Sequence, residues 1–120
     1  MLSKKSIMTL DFTRVNYYLY VTGQIIIVIN TIAKALHMAA ANGHLDIVEY
    51  LISQRVDLNA SNEEKNTPLH WACLNGRIEV VKKLILAGAS LSTLNCHERT
   101  PVDEAISQGK MDVLMQLMQL

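Results

Sequence analysis

Helix–turn–helix units are predicted by the spacing of apolar and small side chains along residues 35–120. In each unit, a short segment with small residues at helical spacing is followed by a glycine. A second segment then carries apolar residues every three or four positions, which places them on one face of a helix. These residues are Leu45, Val48, Leu51 and Ile52 in one copy, and Ile78, Val81, Leu84 and Ile85 in the next. Because no unit can bury its apolar face alone, the pattern predicts an all-α solenoid of stacked helix pairs.

The units recur with a period of 33 residues. The residues that keep this step are His37 and His70; Ala39, Ala72 and Ala105; Gly43, Gly76 and Gly109; Thr67 and Thr100; and Pro68 and Pro101. The threonines suit helix N-caps, each proline suits the first helical position, and the glycines suit a left-handed helix end. The period predicts repeats at 35–66, 67–99 and 100–120, the last one shortened, after a non-repeat N-terminal segment at 1–34.

The repeated segments resemble the ankyrin repeat. The two fuller copies read ALHMAAANGHLDIVEYLISQRVDLNASN and NTPLHWACLNGRIEVVKKLILAGASLSTLN, and RTPVDEAISQGKMDVLMQLMQL resembles a shortened third. The resemblance implies antiparallel helix pairs joined by protruding β-hairpin loops, a concave face, and protein binding without catalysis. The motifs LHMAAANGH and LHWACLNG are also similar to those of short ankyrin proteins of ribosome biogenesis. That similarity implies an escort or chaperone for a basic small-subunit ribosomal protein.

The sequence departs from the ankyrin pattern at several positions. The family places glycine two residues before Thr-Pro, where the hairpin needs a positive φ, and Lys65 and Glu98 stand there instead. We therefore expect both hairpins to be strained or rearranged. The resemblance implies that His37 and His70 bond to neighbouring backbone, whereas the third copy has Asp103 in that place. With little more than two full repeats, we expect marginal stability.

The N-terminal segment 1–34 allows several interpretations. No charged residue occurs from Val15 to Ala33. The segment could cap the first repeat, which a solenoid end requires. Residues 15–33 are also long enough to anchor a membrane-tethered adaptor, although Asn16, Gly23, Gln24 and Asn30 weaken that interpretation. A secretory signal is disfavoured by Asp11 and Arg14. Loss of an upstream repeat, leaving a truncated and non-functional fragment, is a further alternative.

Composition and motifs argue against nucleic-acid binding, catalysis and metal binding. Eleven basic residues balance eleven acidic ones, which argues against general nucleic-acid binding. No phosphate-binding loop or catalytic motif occurs, so we expect no enzymatic activity and no cofactor. A zinc site would collect His70, Cys73, Cys96 and His97, but adjacent ligands rarely share one tetrahedral ion, so we expect no metal. Cys73 replaces a small buried alanine and is predicted to be inert. Two free thiols suit a reducing compartment, cytoplasmic or nuclear, with membrane association as the alternative.

Trp71 is the leading candidate for partner contact. Its equivalents are Met38 and Glu104, and a position that accepts all three is predicted to line the concave face, with partial core packing as the alternative. Tryptophan is enriched at interface hot spots. The other predicted contacts are Glu63, Glu64, Asn66, His97 and Arg99 at the hairpin tips, and Leu74, Asn75, Ser107 and Gln108 on the inner helix face.

Charge and apolarity suggest two kinds of partner. Glu63 and Glu64 beside Trp71 and Leu74 would suit a basic, amphipathic segment such as an extension of a ribosomal protein, although both glutamates could simply be solvated loop charges. The apolar end MDVLMQLMQL is predicted to bind a partner or to self-associate weakly, and the chain is otherwise expected to be a monomer.

Overall fold

The computed structural model describes the backbone of residues 25–120 and the side chains of residues 30–120. Six helices form this part of the chain, and it contains no strand. They are α1 (Ile25–Asn42), α2 (Leu45–Ser53), α3 (Pro68–Leu74), α4 (Ile78–Leu86), α5 (Pro101–Ser107) and α6 (Met111–Met118). The predicted all-α architecture is confirmed. The connections before α3 and α5 are hydrogen-bonded turns rather than β-ladders.

The helices pack as two layers. The first helices of the pairs, α1, α3 and α5, contact one another in order, and the second helices, α2, α4 and α6, do the same. Each first helix also packs on the second helix of its own pair. The buried core between the layers includes Leu36, Val48, Leu69, Val81 and Val113. The stack predicted from the 33-residue period is therefore the observed one.

Small side chains allow the first helices to approach closely. Ala39 and Ala40 on α1, Ala72 and Cys73 on α3, and Ala105 on α5 are all buried. A larger side chain at these positions would force the helices apart, because protein interiors leave little free volume. The small residues therefore position the turns that precede α3 and α5 side by side.

Helix α1 runs through the predicted boundary between residues 34 and 35 without a break. Ile32, on the N-terminal side of that boundary, is partly buried against the core. The cap, anchor and signal interpretations depend mainly on residues 1–24, which lie outside the described residues. Within 25–120, no helix combines the length and apolar character needed to span a membrane.

The predicted caps are present. The Thr67 and Thr100 hydroxyls accept hydrogen bonds from the backbone N–H groups of His70 and Asp103, three residues on, and a proline follows each threonine. In return, the side chains of His70 and Asp103 accept from the N–H groups of the threonines. Asp103 thus replaces the histidine as the reciprocal partner of the cap.

Within residues 25–120, three residues other than glycine have positive φ. Lys65 and Glu98, which stand where the ankyrin pattern has glycine, have φ of 62° and 58°. The sequence expectation of a positive φ at both positions is therefore met. Arg55 also has a φ of 59°, and its equivalent one period later is Gly88, with a φ of 101°. Side chains with a Cβ atom are disfavoured in this conformation, so all three sites carry backbone strain.

Candidate protein-binding surface

Two turns, which lead into α3 and α5, carry several of the predicted contact residues. The first turn comprises residues 62–66 and the second turn residues 95–99. In the first, the Asn62 Oδ1 atom accepts from the backbone N–H groups of Glu64 and Asn66, at 3.0 and 2.9 Å. In the second, Asn95 Oδ1 accepts from the N–H groups two and four residues on, at 2.9 and 3.1 Å. Sequence reasoning missed these asparagines, although their 33-residue spacing was a usable signal.

Histidines hold both turns against the preceding helices. The Nε2 atom of His70 lies 2.9 Å from the carbonyl oxygen of Arg99, and the backbone N–H of Thr67 donates to His70 Nδ1 at 3.1 Å. Because Nδ1 is the acceptor, Nε2 carries the proton that is donated to Arg99. His37 Nε2 makes the equivalent contact, 2.9 Å from the carbonyl oxygen of Asn66. The bonds to backbone expected from the resemblance are therefore present.

A buried polar cluster lies beneath the second turn. The Asn95 side-chain amide donates to Asn66 Oδ1 and to Glu104 Oε1, each at 2.9 Å. An Arg99 Nη1 atom lies 3.9 Å from the same carboxylate. These donors compensate the desolvation of Glu104, which is only 7% exposed.

Two expectations from the sequence need correction. Asn66 was expected to be presented at a hairpin tip, but it is only 9% exposed because its side chain bonds to Asn95. The position shared by Met38, Trp71 and Glu104 was expected to be open in each repeat. Met38 is exposed and Trp71 half-buried, whereas Glu104 is buried in the polar cluster.

An open cavity of about 220 Å³, which we call the inner cavity, lies beside the second turn. Six of the ten predicted contact residues line it: Glu64, Asn66, Trp71, Leu74, His97 and Arg99. The structure therefore brings most of the predicted set together. It does not bring in Asn75, Ser107 or Gln108, which are exposed and line neither this cavity nor the groove next to it.

A wider groove of about 840 Å³, which we call the outer groove, lies between α1, the first turn and Trp71. Glu63 and Glu64 line one side, and the exposed Met38 lies on α1. Trp71 lines both the groove and the inner cavity. An aromatic residue therefore lies at the junction of two depressions, with an acidic pair at the edge.

Residues 36–120 match the family model for ankyrin repeats, in three copies. The chain belongs to the ankyrin-repeat family. Ankyrin repeats bind other proteins, so the stack is a protein–protein interaction module, and the family is typically non-enzymatic. No curated protein matches this chain.

The two cysteines of the ankyrin stack are free and differ in environment. Cys73 is buried on α3, and burial raises the pKa of its thiol to about 12. It is therefore a neutral thiol at ordinary pH, which agrees with the prediction from the sequence that Cys73 is buried and unreactive. Cys96 is exposed at the second turn.

The zinc set considered from the sequence is not assembled. His70 uses both ring nitrogens in the hydrogen bonds described above, and Cys73 is sealed in the core. A different group comes together at the surface: the ligand atoms of Glu64, Cys96 and His97 all lie within 4.8 Å of one another. Glutamate, cysteine and histidine are all ligands that zinc accepts.

The last ankyrin repeat has an apolar end face formed by Ile106, Met111 and Met118. These side chains are 56%, 61% and 86% exposed. Their equivalents one repeat earlier are Cys73, Ile78 and Ile85, which are buried or partly buried under the next repeat. The end face is therefore the inter-repeat surface without a following repeat in the described residues.

Proposed function

We propose that the ankyrin repeats at 35–66, 67–99 and 100–120 capture a basic, amphipathic segment of another protein, and that the chain acts as its escort. An extension of a ribosomal protein has the required chemistry. The observation that carries the proposal is the position of Trp71 between the inner cavity and the outer groove. An apolar side of the partner would contact Trp71, Leu74 and Met38.

Charge supports the choice of a basic partner. Glu63 and Glu64 are exposed and line the outer groove, where nearby cationic side chains of a partner could pair with them. Complementary charge at the rim of an interface raises the association rate and the selectivity. His97 and Arg99 belong to the second turn and do not line the outer groove, so the basic side of the partner would run along the first turn, on the Glu63 side of the site. In this proposal Asn75, Ser107 and Gln108 contact only a longer partner segment.

The compartment proposed for this escort is the cytoplasm or the nucleus. Cys73 and Cys96 are both free, and an exposed thiol such as that of Cys96 persists in a reducing environment.

The test begins with the full chain as bait, followed by cross-linking and mass spectrometry to locate the bound segment. A synthetic peptide of that segment is then titrated calorimetrically. Trp71→Ala should weaken binding by about 2 kcal/mol or more, the scale of an interface hot spot. Leu86→Ala is the matched control, because Leu86 is an exposed apolar residue on α4, outside both depressions. Equal affinity of wild type and Trp71→Ala, with both folded, would remove Trp71 from the site.

Charge and escort activity are tested separately. The double substitution Glu63→Lys and Glu64→Lys should weaken the binding of a basic peptide. This loss of affinity should be smaller at high salt. Glu79→Lys on α4 is the control for a charge reversal elsewhere. An escort should also keep the full-length partner soluble at physiological ionic strength. A partner that stays equally soluble without this chain would contradict the escort role while leaving the binding site intact.

We also propose weak self-association through the end face. Apolar side chains at the end of a repeat stack normally contact the next repeat, and terminal repeats otherwise need a polar outer face. The exposure of Ile106, Met111 and Met118 favours contact with the same surface of a second copy.

A further inference from the structure

Two adjacent turns of the ankyrin stack bring three metal-ligating side chains together. Glu64 belongs to the first turn, and Cys96 and His97 belong to the second. Their ligand atoms, a carboxylate oxygen, Sγ and a ring nitrogen, all lie within 4.8 Å of one another, and all three residues are exposed. Ligands of one tetrahedral zinc ion lie roughly 3.5 Å apart. Side-chain rotation at an exposed site is enough to close the remaining distance.

The backbone beneath these side chains is held in place. The N–H of Cys96 donates to the carbonyl oxygen of Glu64 at 2.9 Å, which joins the two turns directly. Asn62 and Asn95 brace the turns from inside, through the hydrogen bonds described above. Little backbone freedom would be lost on binding an ion, since the two turns already have their relative positions.

The adjacency of Cys96 and His97, which disfavoured zinc in the sequence analysis, does not prevent them from facing one ion here. Adjacent residues such as Cys96 and His97 rarely ligate one ion, and that argument disfavoured zinc. Here both lie in a turn instead of an extended strand, and their ligand atoms share one side with a third ligand from another repeat.

We propose that Glu64, Cys96 and His97 bind Zn²⁺ and clip the first turn to the second. Thiolate, imidazole and carboxylate form a mixed set that zinc accepts, whereas Ca²⁺ and Mg²⁺ prefer oxygen ligands alone. Three protein ligands leave the fourth position to water. The ion would lie at the rim of the inner cavity, which Glu64 and His97 also line. This proposal stands whether or not the partner segment is the one proposed above.

Calorimetric titration of the full, untagged chain with Zn²⁺ tests the site. We expect one ion per chain, and with Co²⁺ a thiolate-to-metal charge-transfer absorption that Cys96→Ser abolishes. Glu64→Gln and His97→Ala should each raise the Kd by at least about 10-fold, since even the loss of an outer-shell partner costs 10- to 100-fold. The matched controls are Glu63→Gln, next to Glu64, and His44→Ala, another exposed histidine; both should keep the wild-type Kd.

Alkylation supplies an independent readout. Without metal, iodoacetamide should modify the exposed Cys96 and spare the buried Cys73. Saturating Zn²⁺ should protect Cys96 in the wild type and in Glu63→Gln. No binding at one ion per chain, no sulfur charge-transfer band, or equal weakening by Glu63→Gln and Glu64→Gln would overturn the proposal. The variants change exposed side chains, and circular dichroism checks that each remains folded.

Discussion

The imidazole of His70 and the backbone of Arg99 are 29 residues apart in sequence but joined by a contact of 2.9 Å between Nε2 and the carbonyl oxygen. His37 makes the same contact to Asn66, one period earlier. In each case a histidine on the first helix of one ankyrin repeat holds the turn that introduces the next. The contact therefore couples neighbouring repeats at the tips, where the proposed partner site lies.

Replacing His70 should destabilise the stack strongly. His70→Ala removes the bonds to Thr67 and Arg99 and leaves a void at a position that is fully buried. We expect a loss of about 2–4 kcal/mol in the free energy of unfolding, the range for breaking a buried polar network. Urea denaturation followed by circular dichroism measures it. Nitrogen NMR of the wild type should also show His70 protonated at Nε2.

The control for this substitution is His44→Ala. His44 is exposed at the N-cap of α2 and makes no side-chain cap bond. Its replacement should change the free energy of unfolding by no more than about 0.5 kcal/mol. If His70→Ala were as mild as His44→Ala, the contact to Arg99 would not couple the repeats.

Glycine should stabilise the strained positions. Lys65, Glu98 and Arg55 all have φ near 60°, where a Cβ atom costs roughly 1–2 kcal/mol. Glycine removes that cost but adds about 0.4–1 kcal/mol of unfolded-state entropy. We therefore expect each of the variants Lys65→Gly, Glu98→Gly and Arg55→Gly to have a free energy of unfolding about 0.5–1 kcal/mol higher than the wild type, as measured by urea denaturation. Gly88→Ala at the equivalent position should lose stability, and a gain there would contradict the strain argument.

Acid should weaken the cap of the last repeat. Hydrogen bonds from the backbone N–H and then the hydroxyl of Thr100 lower the pKa of Asp103 below its ordinary value of 3.8. The folded carboxyl therefore binds its proton at lower pH than the unfolded one. The carboxylate therefore stabilises the fold fully above pH 3.8. This stabilisation is lost as the pH falls through the lower pKa of the folded state.

Asp103→Asn removes this titration. Urea midpoints measured from about pH 5 to about pH 2 should therefore fall less steeply in Asp103→Asn than in the wild type. Identical slopes would mean that the Thr100–Asp103 cap does not contribute to acid sensitivity.

Self-association should depend on the end face. Met118 is 86% exposed, and burying a methionine contributes about 1.5–3 kcal/mol. Met118→Lys should thus raise the dimer dissociation constant by about 10-fold or more in analytical ultracentrifugation. Leu86→Lys, on α4 and outside the end face, is the control. Concentration-independent sedimentation of the wild type as a monomer would contradict the proposal.

Much of the fold could be predicted from the chain alone. The 33-residue spacing of Gly43, Gly76 and Gly109 indicated the repeat. Thr67 and Thr100 marked two helix starts. The replacement of glycine by Lys65 and Glu98 located two strained backbone positions. These inferences succeeded because caps, helix faces and positive φ depend on residues that are close in sequence.

The candidate site was only partly predictable. Trp71 and Glu64 were identified from their places in the repeat, but burial of Asn66 and Glu104 depends on Asn95, which lies on the next turn. The grouping of Glu64 with Cys96 and His97 likewise arises between repeats. The helices from α2 onward, the two threonine caps and the stacking order could be inferred from the chain alone, because they follow from local geometry and a repeated apolar face. The start of α1 at Ile25, the burial of particular polar side chains and the convergence of ligands could not, because they depend on contacts between residues that are far apart in sequence.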